Sequence, residues 1–410
     1  FPTPHPMPRP YLFFIRDTLP QPAAHLIQTV QCANAAAHLG YPTQLAFVDR
    51  SATAWQPWRW VSPQPQPVDD AFARFFNLQT GKLNSLELLP LAMPWPIDRV
   101  KHKLTNASTV ACKYYWPLHL AARTALVHTR DWNFAKAALK QGVPVVFECH
   151  HHLENPFEPE MATHPLLQVV VTVIDTVKES IIRNGVPAKK VVTVPNGFNS
   201  QFLARHPEAA QGWRDRLLTP PFTQLVVYAG ALHEFKGVDL LLEIASQFPQ
   251  VKFALAGGPA EQQQHYRDRI ADLGIANVDV LGFLGQHDLA HLLQAADALA
   301  HPHLLGQAAT FTSPLKLFDY LASGTPVVAT RIPSLENWPL TDQIAAWCHP
   351  NQPQAFADSL RQVLAQHPRP AEGFAPNLDA LRPYSWEARI EKILSHVESQ
   401  YHPQLLGENP

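Results

Sequence analysis

Short apolar runs rich in β-branched residues alternate along this chain with stretches whose apolar residues recur at helical spacing. In the first half, strands are predicted at 11–15, 45–48, 126–128, 143–147, 169–173 and 191–194. In the second half, they are predicted at 225–228, 251–256, 278–281, 298–300 and 326–329. Repeated strand–helix–strand units pair in parallel through right-handed crossovers. The pattern therefore predicts two α/β halves, each built on a parallel sheet.

The alternation of predicted strands and helices is interrupted near 197–222. Pro195, Asn196–Gly197 and Pro220–Pro221 punctuate the chain there, as they do in loops and linkers. A chain of 410 residues is also long enough for about two domains. We therefore predict a domain boundary in this stretch.

Composition excludes several classes of protein. Apolar residues make up 46% and the formal net charge is −2, so the chain has neither the low hydrophobicity nor the high net charge of a disordered protein. The near-neutral balance also argues against the basic patch that nucleic-acid binding requires. The 4 cysteines lie far apart, which argues against a disulfide framework or a zinc ribbon and for a reducing compartment.

No apolar run reaches the ~18 residues of a membrane-spanning helix. The longest candidate, Leu166 to Val177, is short and contains Asp175. We therefore expect a cytoplasmic protein, and action at the inner face of a membrane is compatible with this expectation. The chain begins at Phe1 rather than at an initiator methionine, so we expect that it has been trimmed.

Proline is unusually frequent, with 40 residues, and it is dense in segments 51–70 and 90–117. The second segment combines basic and aromatic side chains, namely Arg99, Lys101, Lys103, Lys113, Tyr114, Tyr115 and Trp116. One interpretation is a proline-stiffened surface loop around a satisfied aromatic cluster. The other is a membrane-surface or acceptor-binding region, because aromatic and basic side chains together suit the lipid headgroup interface.

The stretch 311–330, FTSPLKLFDYLASGTPVVAT, predicts a helix that could bind an anion. Ser313 and Pro314 are typical of an N-cap and a first helical position, and Gly324 is typical of the residue that follows a helix. The free amides after Ser313 lie at the positive end of the helix dipole and form a natural anion site.

Asp319 lies one turn beyond Leu315 on the same helical face. An anion at the amides would therefore place an adjoining polyol within reach of the Asp319 carboxylate. This layout suits a nucleoside diphosphate, with its phosphates at the helix start and its ribose on the carboxylate. The alternative is an ordinary capped helix with a surface pair between Lys316 and Asp319.

A second junction between a strand and a helix supports the same interpretation. The predicted strand at 226–230 runs into a turn, and Lys236–Gly237 precedes the next helix. A lysine at such a junction can neutralise a leaving diphosphate. Most lysines at helix starts are merely solvated, so this feature gains weight only beside the first one.

Five segments carry a specific resemblance: 226–239 (VVYAGALHEFKGVD), 253–259 (FALAGGP), 278–284 (VDVLGFL), 295–300 (AADALA) and 313–329. Their order and spacing resemble the C-terminal, donor-binding domain of the retaining glycosyltransferases of family 4, also called group 1, which have the GT-B fold. Upstream, 185–199 (GVPAKKVVTVPNGFN) resembles the stretch before the family's inter-domain linker. Downstream, 384–393 (YSWEARIEKI) resembles its last helix, which crosses back onto the N-terminal domain.

The resemblance implies an α/β protein of GT-B fold, with two Rossmann-like parallel-sheet domains facing a cleft. Residues 1–199 would form the N-terminal, acceptor-binding domain, completed by the crossing helix at 384–402. Residues 200–383 would form the domain that binds a nucleotide-sugar donor.

The resemblance also implies site residues. His150 matches the histidine of the N-terminal domain that approaches the donor sugar, and Lys236 matches the phosphate-binding lysine; these two are the expected catalytic residues. Asp319 matches the second acid of the E-x7-E motif, which binds ribose. The expected donor-binding residues are Gly230, Lys236, Gly282, Phe283, Leu284, Phe311, Thr312, Ser313, Leu315, Lys316 and Asp319.

The sequence departs from the family pattern at three places. Phe311 replaces the first acid of E-x7-E, so sugar hydroxyls there must use the backbone, Thr312 or Ser313. Ala231 replaces an arginine, so one cation is missing from the diphosphate site, and Lys316 or Arg331 is expected to substitute. The family's N-terminal glycine-rich turn is absent, because 17–24 reads DTLPQPAA.

The predicted function is transfer of a hexose, with UDP-glucose as the favoured donor and with retention, to a saccharide or lipid-linked acceptor. No metal or other cofactor is expected, because the sequence offers no acidic DxD-type pair. A metal site at His150, His151 and His152 is the less favoured alternative, because consecutive histidines after a strand point in different directions. The rival functions are a nucleotide-sugar epimerase, a phosphorylase, or a two-domain solute-binding protein without catalysis.

Overall fold

The computed structural model describes residues 8–51, 58–78, 85–93, 107–310 and 315–407. The chain divides into two compact units. The first comprises Phe1–Pro195 and Trp386–Pro410, and the second comprises Asn196–Ser385. The observed division thus falls slightly before the interruption at 197–222.

The first unit is built on a sheet of 8 strands within the described residues, in the order β3-β4-β2-β1-β5-β6-β7-β8. All neighbours pair in parallel except β3, which runs antiparallel to β4 at the sheet edge. The strands are β1 (Tyr11–Ile15), β2 (Thr43–Asp49), β3 (Gln66–Pro67), β4 (Leu86–Ala92), β5 (Leu126–Thr129), β6 (Val145–Glu148), β7 (Leu167–Thr172) and β8 (Val191–Thr193).

Helices connect these strands. They are α1 (Ala24–His38), α2 (Trp58–Val61), α3 (Asp70–Phe76), α4 (Ala107–Val110), α5 (Trp132–Lys140), α6 (Pro159–Ala162) and α7 (Asp175–Arg183), and a π-helical segment, Ala111–Leu120, follows α4. The strand β4 was not expected from the hydrophobic pattern, because Pro90 interrupts it and proline argues against a strand interior. Its side chains are nevertheless mostly buried beside β2.

The second unit has a sheet of 6 strands among the described residues, all parallel, in the order β11-β10-β9-β12-β13-β14. Its strands are β9 (Gln224–Ala229), β10 (Val251–Ala256), β11 (Val278–Gly282), β12 (Ala298–His301), β13 (Val327–Thr330) and β14 (Ala346–Cys348). Its helices are α8 (Pro207–Leu217), α9 (Val238–Ala245), α10 (Ala260–Asp272), α11 (Gln286–Ala295), α12 (Leu315–Ser323), α13 (Pro353–Gln366) and α14 (Leu378–Leu381).

This strand order reverses direction between β9 and β12. It is the order of a dinucleotide-binding Rossmann sheet, which binds ligands beyond the carboxyl ends of its strands at that reversal. The prediction of two α/β units with parallel sheets is therefore confirmed. The last helix, α15 (Trp386–Leu394), belongs to the first unit, where it packs against α1.

The aromatic cluster of segment 90–117 is partly a core feature. Tyr115 and Trp116 are buried, and the Trp116 indole nitrogen donates to the Ala137 carbonyl at 3.1 Å. Tyr114 is 64% exposed. The interpretation of this segment as a satisfied aromatic cluster therefore holds for Tyr115 and Trp116. Arg99, Lys101 and Lys103 lie outside the described residues.

Within the described residues, no helix has the length and apolar character needed to cross a bilayer.

Candidate functional site

The helix α12 carries three of the expected donor-binding residues, and hydrogen bonds hold its second half in place. The Tyr320 hydroxyl accepts a hydrogen bond from the Ala229 amide at the end of β9, at 2.7 Å. In its last turn, the Arg205 guanidinium donates to the carbonyls of Ala322 and Ser323, the latter at 2.6 Å. Gly324 follows with a φ of 82°, as expected for the residue after a helix. The helix is thereby held against the strand reversal.

Backbone segments approach each other closely where β9, β10 and β12 end. A Cβ on Gly257 would lie 2.3 Å from the Gly230 carbonyl oxygen, and one on Gly237 would lie 1.8 Å from the Pro302 carbonyl oxygen. Both glycines also have positive φ, 120° and 75° respectively. Only glycine fits such positions. The approach brings the loop that carries Lys236 against the end of β12.

Two lysines lie close together at this edge of the sheet. Burial lowers the pKa of Lys236 to about 8. Burial, and then the charge of Lys236, lower the pKa of Lys316 well below its usual value. The Lys316 ammonium lies 3.9 Å from the centroid of the Tyr228 ring, a cation–π contact, and no carboxylate pairs with it among the described residues. The expected alternative, a surface pair between Lys316 and Asp319, is therefore not formed.

Two histidines that the sequence reasoning missed belong to the same cluster. His301 and His303 follow one another across Pro302 at the end of β12, and both are buried. Neither ring nitrogen of His301, nor Nε2 of His303, has a hydrogen-bond partner among the described residues. Burial, followed by the charge of Lys316, lowers the pKa of His301 well below its usual value. Their position at the end of a central strand was the sequence signal that could have found them.

Asp319 lies on the inner side of α12. Burial raises the pKa of its carboxyl well above the usual value, and no hydrogen bond or ion pair to another described residue lowers it. Leu315 and Lys316 lie one turn before it, as the sequence predicted. Phe311, Thr312, Ser313 and the whole proposed anion site at the helix start lie outside the described residues.

The remaining expected donor-binding residues lie at the ends of β9 and β11, the two strands that flank β10. Gly230 follows β9, and a Cβ there would lie 3.2 Å from Lys316 Nζ. Gly282 ends β11 and its carbonyl accepts a hydrogen bond from the Gly257 amide at 2.7 Å. Phe283 and Leu284 follow Gly282 in the chain and are partly exposed.

The structure also distinguishes the two candidates for the missing arginine. Lys316 lies against Gly230, which precedes Ala231. It is also close enough to Lys236 for the charge of Lys236 to lower the pKa of Lys316. Arg331 instead stacks over the Trp347 ring at 5.1 Å, at the β13–β14 side of the sheet. Of the two, Lys316 is the cation that joins the cluster.

In the first unit, His150 is part of a separate buried network centred on Glu148. The Glu148 carboxylate accepts four hydrogen bonds: from Gln28 at 2.8 Å, His128 at 3.0 Å, His150 Nε2 at 2.9 Å and Arg389 at 2.7 Å. Burial alone would raise the pKa of Glu148, but the Arg389 guanidinium and the two histidines hold it well below its usual value. The carboxylate therefore stays charged and its lone pairs are all used.

This network sets the state of His150. Burial, and then the charge of Arg130, lower the pKa of His150 to about 3, so the ring is neutral at physiological pH. Because Nε2 donates to Glu148, Nδ1 carries the free lone pair. His128 is also neutral, since burial lowers its pKa, and its Nδ1 accepts from the Tyr11 hydroxyl at 2.8 Å.

Glu148 and Arg389 were missed by the sequence reasoning. A glutamate that ends an otherwise apolar strand, VVFE, was the available signal, because buried carboxylates need partners. Arg389 could not be connected with it, since 241 positions separate the two residues. His151 and His152 join no group of three metal-ligating residues in the described part of the chain.

Comparisons with known proteins place the chain among glycosyltransferases. Residues 223–366 match the family model described as glycosyl transferases group 1, and residues 89–202 match that of glycosyltransferase family 4. The chain is 24% identical over 300 residues to the D-inositol 3-phosphate glycosyltransferase of Corynebacterium diphtheriae, covering 69% of this chain and 68% of that one.

Solved structures share the fold. The Anabaena protein HepE, crystallised with UDP-glucose, superposes with a TM-score of 0.61 at 17% identity, over 94% of this chain and 98% of that one. The sucrose-phosphate synthase of Thermosynechococcus elongatus superposes with a TM-score of 0.63 at 17% identity, again over 94% and 98%.

Proposed function

Because the chain belongs to the group 1 and family 4 glycosyltransferases and has their GT-B fold, we propose that it transfers a hexose from a nucleoside diphosphate sugar to an acceptor hydroxyl. UDP-glucose is the proposed donor. The proposed acceptor is a saccharide or a lipid-linked saccharide in the synthesis of a polysaccharide or glycoconjugate. The rival interpretation as a solute-binding protein is set aside, since both family models describe transferases.

The observation that carries the proposal is the cluster at the β9–β12 reversal. Lys236 and Lys316 have no counter-ion there among the described residues, and His301 offers two unpartnered ring nitrogens. Buried cations without counter-ions are unfavourable in a folded protein unless a bound ligand supplies the opposite charge. A diphosphate supplies the matching charge, and its oxygens accept hydrogen bonds from ammonium groups.

The same cluster suits the chemistry of the reaction. When the bond between the anomeric carbon and the phosphate oxygen breaks, the diphosphate leaves with the bonding electrons, and its growing charge must be stabilised. Lys236 and Lys316 would do this directly, which is why we propose a metal-independent reaction. The sugar then passes through an oxocarbenium-like transition state.

We further propose retention of the anomeric configuration, by attack of the acceptor on the donor face that the diphosphate leaves. The leaving phosphate would then accept the proton of the acceptor hydroxyl. His150, held neutral with its Nδ1 lone pair free, would accept a hydrogen bond from a sugar or acceptor hydroxyl. Glu148 and Arg389 would act as positioning residues for this ring.

The donor is proposed from the site and from relatives together. Asp319 offers a carboxyl for the two ribose hydroxyls of UDP-, GDP- and ADP-sugars, whereas the deoxyribose of a dTDP-sugar has only one. The HepE structure named above holds UDP-glucose, which favours a uridine donor and a glucosyl group. The name of the Corynebacterium relative places a phosphorylated polyol as its acceptor, so hydroxyl acceptors beyond saccharides belong in the test.

Contact with a membrane surface would suit a lipid-linked acceptor. In the π-helical segment after α4, Tyr114 is 64% exposed and Leu118, about one turn later, is 68% exposed, beside the exposed Lys113. Exposed aromatic and basic side chains of this kind suit a headgroup interface. We propose peripheral association through this segment.

A panel of nucleotide sugars tests the proposed function. Thermal shift with UDP-, GDP-, ADP- and dTDP-sugars should show the largest stabilisation with a UDP-hexose. Incubation of that donor with candidate acceptors, followed by NMR of the product, should show an anomeric configuration equal to that of the donor. Absence of any shift with all nucleotide sugars, or a product of inverted configuration, would contradict the proposal.

A further inference from the structure

A second group of polar side chains lies in the second unit and takes no part in the donor site. His287, Asp288 and His291 stand on α11, and one potential ligand atom of each lies within 4.8 Å of the others. A third imidazole, His206, precedes α8; its ring centroid is 4.5 Å from that of His291 and 6.4 Å from that of His287. In the sequence, His287 and His291 are four residues apart, whereas His206 is far from both.

The fold holds these residues together. His287 and His291 are four residues apart on one helix, so their rings share a face, with centroids 4.4 Å apart. The His206 amide donates to Gln294 Oε1 at 3.0 Å, and Gln294 Nε2 donates to the Ala204 carbonyl at 2.8 Å. These two bonds tie the start of α8 to α11, so the position of His206 is fixed by more than its own ring contacts.

The cluster is incomplete by itself. His291 Nε2 is inaccessible to solvent and has no hydrogen-bond partner among the described residues. An unpartnered buried polar atom is costly. Burial, and then the neighbouring His287 and His206, lower the pKa of His291 to about 4; burial also lowers the pKa of His206. A ring nitrogen without a hydrogen-bond partner can offer its lone pair to a ligand that accepts electron pairs.

The chemistry of the side chains selects the ligand. Three imidazoles and one carboxylate suit borderline transition metals, chiefly Zn²⁺, Ni²⁺ and Cu²⁺, whereas Mg²⁺ and Ca²⁺ prefer all-oxygen sites. We propose that His206, His287, Asp288 and His291 bind one such metal ion, with Zn²⁺ as the reference ion. Four protein ligands leave no open position, so the site is structural and fastens the start of α8 to α11.

This site goes beyond the proposed transfer reaction, and its test uses no nucleotide. The full chain is stripped with a chelator, and Zn²⁺ is titrated by calorimetry in competition with a chromogenic chelator. Wild type should show one tight site per chain. His291→Gln and His287→Gln should each weaken it at least ~100-fold, because losing even an outer-shell partner of a metal ligand costs about 10- to 100-fold.

His265→Gln is the matched control. His265 is an exposed histidine of α10 in the same unit, and its ring contacts Tyr266 alone among the described aromatic rings. Its replacement should leave the tight site unchanged. Equal Zn²⁺ affinity in wild type, His291→Gln and His287→Gln, or no site of unit stoichiometry in wild type, would overturn the proposal.

Two further readouts separate a built site from loose surface binding. Zn²⁺ should raise the melting temperature of wild type and of His265→Gln, but not that of His291→Gln, since only native-state binding stabilises. Bound Co²⁺ should give the intense visible absorption of a tetrahedral ion, and His206→Gln should abolish that spectrum. Circular dichroism of the metal-free variants should match wild type; a spectrum in His206→Gln identical to wild type would remove His206 from the ligand set.

Discussion

Each of the two units contains a buried polar cluster beside its sheet. Side chains of the protein satisfy the charge and hydrogen bonds of the first cluster, whereas no described side chain does so in the second. In the first unit, the Glu148 carboxylate accepts hydrogen bonds from four side chains, and the Arg389 guanidinium balances its charge. In the second unit, Lys236 and Lys316 have no counter-ion among the described residues, and neither ring nitrogen of His301 has a hydrogen-bond partner there.

This difference is the one expected between a positioning network and a binding site. A network whose members satisfy one another can hold a ring such as His150 in one orientation and one tautomer before any ligand arrives. A cluster of cations without anions is unfavourable by itself and becomes favourable only with a ligand of opposite charge. Substitutions in the first cluster should therefore lower the free energy of unfolding. Substitutions in the second should leave the stability of the ligand-free protein almost unchanged.

The largest expected effect is on stability, at Glu148. Glu148→Gln removes the charge that compensates Arg389, and breaking one member of a buried ion pair costs about 3–5 kcal/mol. The free energy of unfolding from urea titration should fall by that order. Glu158→Gln is the matched control, because Glu158 forms an exposed ion pair with Lys136 at 2.6 Å, and such pairs contribute ~1 kcal/mol or less. Equal losses in the two variants would contradict the account of the network.

The next effect is on catalysis, at Lys236. Lys236→Ala should lower the transfer rate by ~10²-fold or more, the scale for losing one preorganised group that stabilises developing charge. The melting temperature without nucleotide should hardly change. Lys189→Ala, at an exposed lysine of the first unit, is the control and should keep full activity. Wild-type turnover in Lys236→Ala would contradict its assignment to the diphosphate.

A smaller effect is expected on nucleotide affinity, at Asp319. Asp319→Asn should weaken UDP binding by about tenfold or more, because a hydrogen bond to a charged group contributes about 1.5–3 kcal/mol. Asp272→Asn, at an exposed carboxylate of α10, should leave the affinity unchanged. Calorimetry that gives one affinity for wild type and Asp319→Asn would count against the ribose assignment.

The smallest effect is expected at Lys316 in the free protein, and it sharpens the comparison most. Lys316→Met removes an enclosed cation whose pKa burial and Lys236 already lower. The free energy of unfolding should therefore stay within about 1 kcal/mol of wild type or rise, since methionine fills a similar volume without the uncompensated charge. The affinity for UDP should fall in the same variant. A loss of stability as large as that of Glu148→Gln would refute the distinction between the clusters.

Much of the fold could be predicted from the sequence, because parallel sheets leave a local pattern. Continuous apolar runs such as Val251–Ala256, separated by helical stretches, indicate buried parallel strands. Gly40 and Gly324 mark helix ends in the sequence, and both have positive φ in the structure. The strand β4 was missed because Pro90 argues against a strand interior. Pairing with β2 nevertheless forms the strand.

The site was predictable only where a local motif carries it. Lys236 and Asp319 lie in recognisable segments, and the structure places both in the second unit, with Lys236 at the strand reversal. Contacts between distant residues leave no local pattern, so the Glu148–Arg389 pair and the approach of His206 to α11 became visible only in the folded chain. The roles of His150, Lys236 and Asp319 stay predictions until the variants are measured.

The pH dependence of UDP binding tests the donor site most directly. Burial lowers the pKa of free Lys236 to about 8, and a bound diphosphate must raise it again. From about pH 7, the terminal phosphate of UDP is mostly ionised, and below pH 8 the lysine is already charged. The affinity should therefore be constant between about pH 7 and pH 8.

Above pH 8, binding must also take up a proton, and the affinity should fall by up to about tenfold per pH unit. Lys236→Arg keeps its charge throughout this range and should show a much flatter profile. A fall above pH 8 in wild type that is much smaller in Lys236→Arg is the predicted result. A flat profile in wild type, or the same slope in both proteins, would contradict the assignment of Lys236 to the donor diphosphate.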